Sequence, residues 1–137
     1  MRKIIIAAAM AVLVSASQAN VKLYVFDCGH LYFDDVSNFG LTNEETDVRE
    51  LFVPCYLIDH PDGKMIWDAG LPLDLVGPRE SGASNWYERS IIDQLSDIGV
   101  EPRDIEFAAY SHFHYDHVGA ANAFDEATLL IQEAEYY

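Results

Sequence analysis

Ser111-His112-Phe113-His114-Tyr115-Asp116-His117-Val118-Gly119 is the stretch on which the reading of this chain turns. Three of the five histidines in the sequence and one carboxylate fall between His112 and His117, directly after an apolar run. Neutral imidazole is the commonest side-chain metal ligand, and a carboxylate beside it suits Zn or Fe. Spacing matters as much as composition. If the first ligands lie at a strand end, His112 and His114 are two apart and point the same way, so they can grip one ion. Asp116 and His117, just past that end, can turn toward a second. A polar loop that happens to carry histidines is the plain alternative, and a lone His would support no functional claim.

Working outward, Ile105 to Ser111 reads as the strand that delivers His112. Gly119 to Phe124 suits a short helix of small residues, and Thr128 to Gln132 a last strand. Upstream, Asn85 and Glu88 form a capping-box-like pair, and Tyr87, Ile91, Leu95 and Ile98 recur at helical spacing. A helix is therefore expected from Asn85 to Gly99, with that stripe buried. Leu51–Asp59 and Met65–Trp67 flank His60-Pro61-Asp62-Gly63, which is turn chemistry, so they predict a hairpin. Pro54 cannot donate to a ladder and marks an edge, a bulge or a late strand start. Asp68-Ala69-Gly70 closes the hairpin and on residue type alone is a turn former. Val21–Phe26 predicts the first strand, closed by Asp27 to His30, and Leu31–Arg49 a long acidic loop. His30 reads as a surface or loop residue.

The first 19 residues have the order of a secretory signal: Arg2 and Lys3, then apolar Ile4 to Val14, then Ser17-Gln18-Ala19. Cleavage after Ala19 and a secreted or periplasmic product are expected. The apolar run is shorter than the ~20 residues that span a bilayer, so no stable membrane anchor is expected. The cut removes two cations and no acid, moving the formal net charge from -15 to -17. Such a surface repels phosphate backbones, which argues against nucleic acid as a partner; the charge reads first as solubility, and a neutral or weakly charged small-molecule substrate fits it. Cys28 and Cys55 remain in the exported chain, where a disulfide is permitted. Both lie beside strand-like apolar residues, where free Cys acts as a small hydrophobe, and the reading leans to buried, unpaired thiols.

The 111–119 stretch resembles the metal-binding signature of the metallo-β-lactamase superfamily. Within it the chain is most similar to the N-acyl homoserine lactonases, the quorum-quenching branch. The similarity runs through Val21-Lys22-Leu23-Tyr24, Val53 to Ile58, Trp67 to Pro72, Ile98 to Ile105 and Ile131 to Tyr136. Tyr115 stands where Phe is common, Ala69 replaces a usual Thr, and the leader departs from the cytoplasmic members.

The resemblance implies an α/β fold, the αββα sandwich, of which residues 20–137 would be the N-terminal half: one sheet plus flanking helices. It implies two divalent metal ions, with zinc the expected element. His112 and His114 would hold one, and Asp116 and His117 the other. Asp116 would also relay a proton, and Asp68 would hydrogen-bond and orient the ligands. The implied reaction is opening of an N-acyl homoserine lactone ring by a metal-bridging hydroxide. An exported β-lactamase, a glyoxalase II-like thioesterase and a non-catalytic metal-binding fragment are the alternatives. Each ion would draw two donors from this chain where catalytic zinc normally takes three, so the chain alone is expected to be inactive.

Overall fold

The computed structural model describes residues 20–136. The leader reading of residues 1–19 lies outside the described residues. Among the described residues, no helix is long and apolar enough to cross a membrane.

Six strands form one mixed sheet: β1 (Lys22–Tyr32), β2 (Glu50–His60), β3 (Gly63–Trp67), β4 (Asn85–Trp86), β5 (Phe107–Tyr110) and β6 (Thr128–Ile131). Their spatial order is β4-β1-β2-β3-β5-β6. The β1–β2 and β2–β3 pairs are antiparallel. The expected hairpin is β2–β3, closed at His60↔Gly63. The chain then crosses over through helix α1 (Ile91–Asp97) to β5, which runs parallel to β3. A second crossover, through α2 (Tyr115–Val118), brings β6 parallel to β5. A final turn, α3 (Glu133–Tyr136), follows.

One face of the sheet carries the core: Phe26, Leu57, Ile66 and Ala108 pack with Ile91 and Leu95 of α1. Strand alternation accounts for this, since every second side chain reaches the same face. The other face is apolar too. Val25, Tyr56, Trp67, Ala109 and Leu130 are cross-strand neighbours along it. Val25, Trp67 and Leu130 are exposed.

Three expectations need correction. First, Asp27 to His30 does not close β1. The strand bulges there, its register with β2 shifting between Asp27 and His30, and continues to Tyr32. Pro54 lies opposite Asp27 at that shift, so its missing donor marks a bulge rather than an edge. Second, the helix does not start at Asn85. Asn85 and Trp86 pair with Leu31 and His30 as an edge strand. The cap is Ser90, whose Oγ accepts from the Asp93 amide at 3.0 Å. Tyr87, Ile91 and Leu95 are buried as expected, whereas Ile98 sits beyond the last turn and is exposed. Third, Cys28 and Cys55 are paired in a disulfide. The bulge carries Cys28 to a Cα–Cα distance of 5.7 Å from Cys55 on the adjacent strand, inside the range a disulfide bridges.

Candidate metal centre

Ligand sites in open α/β sheets lie beyond the carboxyl ends of parallel strands. Here β3 ends into Asp68 and β5 ends into Ser111, side by side. The Asp68 amide donates to the Ala109 carbonyl at 2.9 Å. Asp68 has φ 59°, a left-handed conformation that Asp tolerates better than most residues. That kink turns its carboxylate inward, where it is 4% exposed.

The buried carboxylate is fully engaged. Its Oδ1 accepts from the Ser111 amide at 2.8 Å, and its Oδ2 from the Ser111 hydroxyl at 3.0 Å. His117 Nδ1 lies 2.8 Å from the same Oδ2. Two backbone bonds fasten the loop further: Ala69 N to His117 O at 2.7 Å and Gly119 N to Gly70 O at 2.8 Å. The glycines are required by contact. A Cβ on Gly119 would run into the backbone of Leu71 and Pro72, and one on Gly70 into Cys28.

His112 follows β5 in irregular chain. His114 is the N-cap residue of α2, with φ -62° and ψ 146°. Its carbonyl accepts from His117 N at 2.9 Å, closing the turn that carries Asp116 and His117. The three imidazoles gather: ring centroids are 4.4 Å apart for His112–His114 and 4.0 Å for His112–His117. His117 Nε2 lies 3.5 Å from Asp116 Oδ2. Two donors on one tetrahedral zinc, each about 2.0–2.1 Å from it, stand about 3.3 Å apart. The 3.5 Å separation is close to that value, and Asp68 occupies the other nitrogen of His117. These residues fit a divalent metal in chemistry and spacing. Among the described residues, no group of three or more His, Cys, Asp or Glu is already gathered as a complete cage.

Burial pushes the Tyr110 phenol, beneath the loop, up to about 12, with the Asp68 charge adding to it. Burial also raises Tyr115, aided by Asp116 and opposed by a side-chain hydrogen bond with Asn85. His30 has other partners: Glu50 at 2.9 Å, Asp27 at 3.1 Å, and Trp86 stacked on it at 4.3 Å between centroids. Ser111 is the functional candidate that sequence reasoning passed over. Its Oγ lies 3.1 Å from Nδ1 of both His112 and His117. Its position directly before the first histidine was the available signal.

A parallel crossover here ends in a histidine-rich loop braced by a buried aspartate. Residues 48–132 match the metallo-beta-lactamase superfamily, and the chain belongs to that superfamily. Among its relatives is an N-acyl homoserine lactonase of Rhizobium johnstonii, 32% identical over 126 residues, covering 85% of this chain and 48% of the relative. A Bacillus cereus N-acyl homoserine lactonase is 28% identical over 125 residues, covering 84% of this chain and 50% of that protein. Among solved structures, a quorum-quenching N-acyl homoserine lactone lactonase superposes with TM-score 0.68 at 30% identity. That match covers 83% of this chain and 46% of the other. An N-acyl homoserine lactone hydrolase with the product N-hexanoyl-L-homoserine at its catalytic metal centre gives TM-score 0.61 at 27% identity, covering 83% and 49%. The chain thus spans about half the length of the curated relatives it matches.

Proposed function

We propose that this chain supplies the histidine-rich loop of a two-metal hydrolase that opens N-acyl homoserine lactones. The observation that carries the reading is His117: Asp68 holds its Nδ1 at 2.8 Å while its Nε2 stands 3.5 Å from Asp116 Oδ2. A metal-ligating imidazole commonly donates its other ring N–H to a carboxylate, which is the arrangement of His117 on Asp68. The lactonase relatives supply the substrate class.

His112 and His114 would hold one ion, and Asp116 and His117 the other, with zinc the expected metal. Bound metal supplies Lewis acidity and activates water near neutral pH. The chain's own residues do the rest. Asp68 and Ser111 hold the imidazoles in place, so they need not reorganise when charge develops. Asp116 offers a carboxyl oxygen that can take the proton given up by the attacking water and pass it to the oxygen released as the ring opens. The acidic chain, at net charge -15, suits a neutral lactone better than a phosphorylated substrate.

The test is a chimera in which residues 20–137 replace the matching half of a lactonase relative. Lactone opening should exceed β-lactam and thioester hydrolysis, and His112→Ala or His114→Ala should abolish it. Wild-type turnover in either variant, or turnover of another substrate class alone, would sink the reading. The 137-residue chain by itself is expected to be inactive, because it offers two donors per ion. Export completes the proposal. Mass spectrometry of secreted or periplasmic protein should find Asn20 at the N-terminus, and a cytoplasmic product starting at Met1 would count against it.

A further inference from the structure

We infer that Ser111 is a positioning residue that sets the tautomer of His112, as Asp68 sets that of His117, so that each ring presents Nε2 outward. A serine hydroxyl has one proton to donate and two lone pairs. Ser111 Oγ has three neighbours: Asp68 Oδ2 at 3.0 Å, His112 Nδ1 at 3.1 Å and His117 Nδ1 at 3.1 Å. A carboxylate can only accept, and a bond to a charged acceptor is roughly twice as strong as one between neutral groups. The single proton therefore goes to Asp68. Both lone pairs of Ser111 are then left facing ring nitrogens, and each ring must donate. His112 donates its Nδ1–H to Ser111. His117 donates its Nδ1–H chiefly to Asp68 Oδ2 at 2.8 Å, with Ser111 Oγ as the longer partner at 3.1 Å.

Two neutral rings carrying their proton on Nδ1 have their lone pair on Nε2. In His117 that nitrogen is the one beside Asp116. Among the described residues no carboxylate bonds His112 Nδ1, so there its tautomer rests on the Ser111 oxygen. One hydroxyl thus couples a ligand from each of the two proposed ion sites to the single buried aspartate. The metal role of these rings rests on the reading above; the tautomer assignment does not.

Long-range proton–nitrogen NMR of the metal-free full chain, at a pH where both rings are neutral, tests this directly. The native chain should show the Nδ1–H pattern for both His112 and His117. In Ser111→Ala, His117 should keep it because Asp68 remains, while His112 should shift toward the Nε2–H form. Ser111→Thr, which restores the hydroxyl, should return His112 to Nδ1–H. The Ser111 amide bond to Asp68 Oδ1 survives in both variants, and native amide spectra would report an intact fold. A merely structural serine would move both rings or neither. An Nε2–H pattern for His112 in the native chain, or an unchanged His112 in Ser111→Ala, would overturn the assignment. Failure of zinc binding with the predicted tautomers intact would instead count against the metal reading alone.

Discussion

Replacing Asp68 with Asn separates the two tasks that residue performs. The backbone is spared, because Asn tolerates the left-handed φ of 59° at least as well as Asp does. The amide oxygen can still accept from the Ser111 amide, the 2.8 Å bond. The damage falls on Oδ2, which becomes an NH2 group facing the Ser111 hydroxyl and His117 Nδ1, now 3.0 and 2.8 Å away. The hydroxyl can rotate and accept. His117 can accept only by moving its proton to Nε2. Hydrogen bonds to a charged group contribute about 1.5–3 kcal/mol each, and neutral bonds replace them in part, so stability should fall by about 1.5–3 kcal/mol. Zinc affinity should fall further in relative terms, about 10–100-fold, because the proton now sits on the nitrogen that must bind. Asp68→Ala should cost at least ~1 kcal/mol more than Asn, since it also loses the Ser111 amide bond and strains the left-handed backbone. Urea unfolding gives the first quantity, chelator competition the second, and histidine NMR the tautomer. Asp68→Asn with stability within about 0.5 kcal/mol of native and His117 still protonated on Nδ1 would refute the reasoning.

The Cys28–Cys55 disulfide joins residues 27 apart in sequence, and a loop of that size predicts a loss of about 3–4 kcal/mol on reduction or on Cys28→Ala/Cys55→Ala; urea midpoints with and without reductant measure it. Gly119→Ala should be among the most disruptive small substitutions, because its Cβ meets the Leu71–Pro72 backbone rather than a movable side chain; low soluble yield or loss of the Gly119–Gly70 amide protection would register it, and native stability would contradict it. Burial raises both Tyr87 and Tyr110 to about 12. An unfolded phenol titrates near 10, so the contribution of these two groups is complete below about pH 10 and is lost as pH rises toward 12. Phenolate absorbance should therefore lag in the folded chain, and native-like titration of all tyrosines near pH 10 would speak against their burial.

Local pattern carried most of the architecture. The strands were legible because alternation and turn chemistry agree with the tertiary result at Leu51–Asp59, at the His60–Gly63 turn and at Thr128–Gln132. The errors share one cause: each depended on a neighbour distant in sequence. Asn85 looks like a helix cap, and only the edge of β1 offers it a ladder to join. The Cys28–Cys55 pairing hangs on a bulge that resets the strand register. Local spacing gave no measure of the distance between those two residues. Gathering of the motif histidines could be expected from alternation past a strand end. The place of Ser111 before the first histidine was a signal, but its partners were not legible, because the network closes through Asp68, 43 residues away. The stripe through Tyr87, Ile91 and Leu95 survived the misplaced cap, since packing of an apolar face does not depend on where the first turn begins.

A Zn2+ titration of the chain, followed at all five histidine rings by NMR, tests the claim that the motif histidines hold metal. The claim predicts that the resonances of His112, His114 and His117 move together and that their Nε2 or remaining free nitrogens respond. His30, already held between Asp27 and Glu50, and His60, in the β2–β3 turn, should stay where they are. Weak binding is sufficient for this measurement, so a site with two donors per ion is still visible. Motif rings that do not respond to Zn2+, or a response confined to His30 and His60, would contradict the account.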